Sequence, residues 1–146
     1  MKLVDRIKTD YNQFSLVLDE VCHWSPGKNT IFYCDNDDVG LLHELGHAIC
    51  GHNDFVQDIE LIHAERDAWE KACEIAPKYN VKISDKVIEK AMDGYRDWLH
   101  ARSTCPKCGQ NGIQRHADRL YECLNCNTVW NTNDGRNVRI HRYIQK

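Results

Sequence analysis

Apolar positions recur along this chain with two periods. Between residues 39 and 49, Val39, Leu42, Leu45, Ala48 and Ile49 are spaced three and four apart, which predicts a helix with one buried stripe. Leu61, Ala64, Ala68, Ala72 and Ile75 predict a second helix, ended by Pro77, with Asp54 as its N-cap and Gln57 as the reciprocal partner. Only the turn Gly51-His52-Asn53-Asp54 then separates the two. Residues 2–12 read as a short amphipathic helix. Ser84 caps a further helix to about Arg102, with Val87, Ile88, Ala91, Tyr95, Trp98 and Leu99 inward. Residues 29–34 suit a strand after a turn at Ser25-Pro26-Gly27-Lys28, with residues 14–21 as its hairpin partner. Beyond residue 103 the segments shorten. Residues 113–117, 120–122, 128–130 and 138–144 read as strands, the last two joined across Asn133-Asp134-Gly135. The expectation is an α+β fold, with a core over 1–102 and a small β module over 103–146.

The first of the paired helices carries His43-Glu44-Leu45-Gly46-His47. Residues i and i+4 share a helix face, so both imidazoles can reach one metal ion. Glu44 lies beside them and is placed to accept a proton from an activated water. Gly46 is costly in a helix interior unless another element approaches closely there. A catalytic zinc takes three protein ligands and keeps one open position. Glu65, on the second helix, is the candidate third ligand. It borders the buried side near Trp69, where an unpaired carboxylate is expensive. His63 is the rival, about 200° round the helix from Glu65.

HELGH followed by Glu65-Arg66-Asp67-Ala68-Trp69 resembles the gluzincin metallopeptidases, in particular the minigluzincins, and is similar to ImmA/IrrE-type peptidases. The likeness covers roughly residues 14–76. It implies a small zincin-like core, with His43, His47 and Glu65 as zinc ligands and Glu44 as general base and acid. Asp67 matches the second acidic residue of the ImmA/IrrE-type run. The resemblance also implies that the strand over 29–34 lies along a substrate cleft, and that a segment of the same or a neighbouring chain, here the C-terminal tail, can occupy that cleft. The chain is much shorter than a full gluzincin, which leaves little with which to build a deep specificity pocket. A metzincin would need a histidine at position 53, which is Asn53.

Cys105-Pro106-Lys107-Cys108 and Cys123-Leu124-Asn125-Cys126 supply four thiolates at the spacing of a closed tetrahedral zinc site, and this segment looks like a zinc ribbon. Two zinc ions per chain are therefore expected, one catalytic and one structural. A segment this short relies on the metal for much of its stability. Residues 101–146 hold 8 basic and 3 acidic residues, a net of +5. Residues 1–100 hold 11 and 19, a net of −8. Arg139, His141 and Tyr143 are expected on one face of the last strand, with Arg142 on the other. Basic residues interleaved with aromatics suit nucleic acid, and the same charge suits contact with protein or with the acidic core.

The eight cysteines divide into four in the knuckles and four scattered ones: Cys22, Cys34, Cys50 and Cys73. A disulfide framework does not suit a chain with zinc knuckles and no visible export signal, and a cytoplasmic site of action, away from membranes, is the expectation. The function expected is hydrolysis of peptide bonds in a protein or peptide substrate. His63, Tyr79, Tyr95 and His100 stand open as donors to the oxyanion. The alternatives are a SprT-like protease acting on DNA-bound proteins, with a third histidine ligand, and a non-enzymatic regulator that binds nucleic acid or protein.

Overall fold

The computed structural model describes residues 1–146. The chain is α+β, with four α-helices and two sheets, and forms two compact units. The first comprises Met1–Asp54 and His63–Glu89, the second Phe55–Ile62 and Lys90–Lys146. No helix is long and apolar enough to cross a membrane.

The first unit opens with α1 (Leu3–Asp10), followed by β1 (Ser15–Leu18), β2 (His23–Ser25) and β3 (Thr30–Tyr33). The strand order is β1-β3-β2. The expected hairpin partner for residues 29–34 is corrected here. β1, within residues 14–21, pairs with β3 in parallel, Leu16 opposite Ile31, and the antiparallel partner is β2, with His23 opposite Phe32. The turn after Ser25 closes this tight hairpin, with Asn29 at φ 50°. β3 is thus the central strand, hydrogen-bonded on both sides. The edges of the sheet belong to β1 and β2.

Helix α2 (Asp38–Cys50) starts at Asp37, whose side chain accepts from the Gly40 N–H, and stops at Gly51 in the left-handed region. Leu41, Leu42, Leu45 and Ala48 are buried with Ile31, Leu16 and Ile7. Helix α3 (Asp58–Ile75) follows. Asp54 does not cap it, because the helix begins at Asp58, three residues later than an Asp54 cap would give. Within the first unit, Ala68 and Ala72 of α3 are fully buried, and the backbone of Ala68 lies against Gly46 so closely that a Cβ at position 46 would overlap the Ala68 carbonyl. The two helices need glycine at their contact.

Helix α4 (Asp85–Ser103), which belongs to the second unit from Lys90 on, buries Met92, Trp98 and Arg102. Ser84 caps this helix through the Val87 N–H, and Val87 itself is exposed rather than inward. A four-stranded sheet follows in the order β4 (Ile113–Gln114), β5 (Tyr121–Glu122), β6 (Val129–Thr132), β7 (Arg142–Ile144), all antiparallel. Fully buried Trp130 stacks on Tyr121 at 5.6 Å and donates its indole N–H to the Arg102 carbonyl. Beneath them is a buried ion pair: the Arg102 Nε donates to Asp58 Oδ2 at 2.8 Å, and the Tyr121 hydroxyl donates to the same oxygen at 2.6 Å. The first turn of α3 and the last turn of α4 thereby share the core of the four-cysteine unit.

Candidate metal centres

The first centre is assembled by α2 and α3. His43 and His47 point their Nε2 atoms to one spot, 3.2 Å apart. Glu65 Oε2 lies 2.9 Å from His43 Nε2 and 3.2 Å from His47 Nε2. All three residues are buried. A tetrahedral ion with zinc–ligand bonds of about 2.05 Å places its ligand atoms roughly 3.3 Å apart, so the triangle has the size and the N/N/O donor set of a zinc site. Glu65 is the acidic group that α3 brings to the histidines. His63 is exposed, and Asp67 pairs with Arg66 on the surface.

Burial opposes the charge on Glu65, but hydrogen bonds with His43 and His47 outweigh it and hold the carboxyl well below the usual range. Glu44 is pushed the other way. Burial raises its pKa, the histidine pair counters this, Glu65 adds to the rise, and the Trp24 backbone N–H favours the charged form. A raised carboxyl beside such a site is better matched to taking and returning a proton near neutral pH.

Two outer contacts were not foreseen. His52, in the loop after α2, meets His47 with Nδ1 to Nδ1 at 2.9 Å. If His47 presents Nε2 to a metal, its Nδ1 carries the proton and donates to His52, which fixes both tautomers. The His52 carbonyl in turn accepts from Trp24 Nε1 at 2.9 Å. His43 stacks on Trp69 at 4.0 Å, and its Nδ1 has no protein partner, so the polar support of the centre falls on His47. A histidine five residues past the motif was visible in the sequence, but only the left-handed turn at Gly51 swings it back. Of the four expected oxyanion donors, Tyr79 is engaged elsewhere, donating to Asp10 at 2.7 Å, and His63 faces solvent. Tyr95 and His100 fall in the second unit.

The second centre lies in the four-cysteine unit. The Sγ atoms of Cys105, Cys108, Cys123 and Cys126 fall within 4.8 Å of one another, with Cys105–Cys126 at 3.6 Å and Cys108–Cys123 at 3.4 Å. Zinc–sulfur bonds of about 2.3 Å would set sulfurs near 3.8 Å apart in a tetrahedron. Each knuckle turns through a left-handed residue just after its second cysteine, Gly109 and Asn127. The Thr128 hydroxyl beside Cys126 draws that thiol down to about 6, and the Gln110 backbone N–H lowers Cys108. These groups favour thiolates, as a metal requires.

The basic C-terminal residues do not share one strand as expected. β7 begins at Arg142, so Arg139 is not on its face; residues 134–141 form a loop held by Asn133, which donates to the Arg139 carbonyl and accepts from the His141 N–H. The Asn133 side chain thus competes for the loop's backbone groups, while the Asn133 backbone N–H donates to the His141 carbonyl and closes the loop. His141 and Tyr143 stack at 6.3 Å and are exposed, while Arg142 donates to the Thr104 carbonyl at 2.6 Å.

No family model, curated protein or solved structure matches the chain.

Proposed function

We propose that the chain is a zinc-dependent metallopeptidase of gluzincin type, with a zincin-like first unit and a zinc ribbon in the second. The observation that carries this reading is the convergence of two imidazole nitrogens and one carboxylate oxygen in a buried triangle, with Glu44 one residue from the first ligand. His43, His47 and Glu65 would hold the ion. Bound zinc supplies Lewis acidity toward a water and a carbonyl oxygen. Glu44 takes the water proton and delivers it to the departing amine nitrogen. His52 holds His47 in the tautomer that leaves Nε2 free to ligate.

Substrate alignment falls to β2 rather than to β3, because β3 has no free edge. The Trp24 N–H that acts on Glu44 sits on β2, so the free edge of that strand runs beside the base. An extended peptide can add to such an edge through backbone hydrogen bonds, which suits a protein or peptide substrate. A glutamate third ligand favours this reading over the SprT-like one, which uses a histidine. The four-cysteine centre would be structural, since four thiolates leave no open position. Exposed His141 and Tyr143 in a segment of net positive charge support a contact role for the ribbon, with nucleic acid or with protein.

The test is cleavage of an unstructured peptide library by zinc-loaded full chain and by Glu44→Gln. The wild type is expected to cleave in a chelator-sensitive way, and Glu44→Gln is expected to keep its zinc and lose cleavage. Equal cleavage by both proteins, or none by the zinc-loaded wild type, would sink the assignment.

A further inference from the structure

We propose that Cys22 and Cys34 form a redox-active dithiol pair that closes to a disulfide, tying the start of β2 to the end of β3. Cys22 immediately precedes β2 and Cys34 immediately follows β3, so they lie at the same end of the ladder in which His23 faces Phe32. Their Sγ atoms are 2.9 Å apart, and the Cys34 backbone N–H donates to Cys22 Sγ at 3.1 Å. Both side chains are half-buried, reachable by a small molecule.

Two sulfurs this close call for a shared metal or a covalent bond. Around a tetrahedral zinc, sulfurs stand about 3.8 Å apart, and the pairs measured in the four-cysteine cluster of this chain are at 3.4 and 3.6 Å. The Cys22–Cys34 pair is tighter than either. The third group near it is Asp37, with Oδ2 3.7 Å from Cys22 Sγ. Asp37 is exposed and already spends Oδ1 on the cap of α2. That is a poor ligand set and a good place for a bond between two sulfurs.

The oxidant is a low-molecular-weight disulfide. The Cys22 thiol donates to Cys34 Sγ, and burial, with the neighbouring Cys34 and Asp37, pushes it up to about 12, so Cys22 keeps its proton and Cys34 is assigned as the attacking sulfur. The Cys34 thiolate attacks one sulfur of the external disulfide, breaks its S–S bond and releases one thiolate. Cys22 then loses its proton to solvent and attacks Cys34 Sγ, expelling the second thiolate. Two cysteine thiols are oxidised by two electrons, and the external disulfide is reduced to two thiols that take up the two protons. The bond would fix the strand whose Trp24 meets Glu44 and His52. The redox pair stands independently of the peptidase reading, and only its effect on the site rests on it.

The full-length chain is equilibrated in glutathione buffers from reducing to oxidising, then denatured with chelator for thiol counting and peptide mapping. The expected result is a fall from eight free thiols to six, with a Cys22–Cys34 cross-linked peptide lighter by two hydrogens, reversed by excess glutathione. Cys22→Ser should instead trap glutathione on Cys34. A pair that stays reduced or becomes glutathionylated without cross-linking would overturn the proposal. So would loss of one zinc equivalent in Cys22→Ser with Cys34→Ser, which would make the site a metal centre. None of these readouts depends on proteolysis, so they do not fail with the peptidase assignment.

Discussion

At the residue scale, the His43–His47–Glu65 triangle, which could hold a metal ion, is the part most legible in the sequence. His43 and His47 follow from a spacing of four on a helix, and Glu65 from its place on the buried border of the next one. His52 was not legible, because its partnership with His47 depends on a loop conformation that no periodicity encodes. It is also the residue whose role is easiest to separate from folding, since it is only half-buried. His52→Ala is expected to weaken zinc binding at the histidine–glutamate centre by about 10–100-fold, the usual cost of losing an outer partner of a ligating histidine. The check is competition with a zinc chelator, with the cysteine-bound zinc as internal reference. His52→Gln should recover part of the loss, because its amide oxygen can accept from His47 Nδ1.

At the element scale, the helices were legible and their pairing geometry less so. Gly46 was expected to mark a close approach, and the Ala68 carbonyl supplies it. Gly46→Ala should therefore destabilise the chain by about 1–3 kcal/mol, as overpacking does, despite the higher helix propensity of alanine. Thermal unfolding would show this, and zinc affinity should fall with it because Glu65 is carried on the displaced helix. An unchanged or raised midpoint would mean that the α2–α3 contact is looser than described. The strands misled for a different reason. β2 is only three residues long, too short for alternation to reveal, and the longer run at residues 14–21 took its place as hairpin partner. Parallel pairing of β1 with β3 arises because β2 intervenes between them in sequence. The start of α3 at Asp58 rather than after Asp54 also has a tertiary cause: Asp58 is held by Arg102, Tyr121 and Gln114, none of them near in sequence.

At the scale of the whole molecule, a chain boundary between residues 102 and 103 and the division into compact units are different things. The four-cysteine unit includes Phe55–Ile62 and the end of α4, gathered around the Asp58–Arg102 pair. Composition and motif spacing mark where cysteines begin, whereas a buried ion pair between distant helices leaves no local trace. Removing one partner strands a buried charge, so Asp58→Ala should cost about 3–5 kcal/mol, read by denaturant unfolding of the zinc-replete chain. Replacing both partners with apolar residues of similar volume should cost much less. The measurement that reaches the central claim most directly is zinc content of the full chain, wild type against Glu65→Ala. Two zinc ions per chain falling to one, with the cysteine-bound ion retained, is the result predicted by a buried His43–His47–Glu65 centre. A single ion in the zinc-replete wild type, or a count that Glu65→Ala leaves at two, would contradict it.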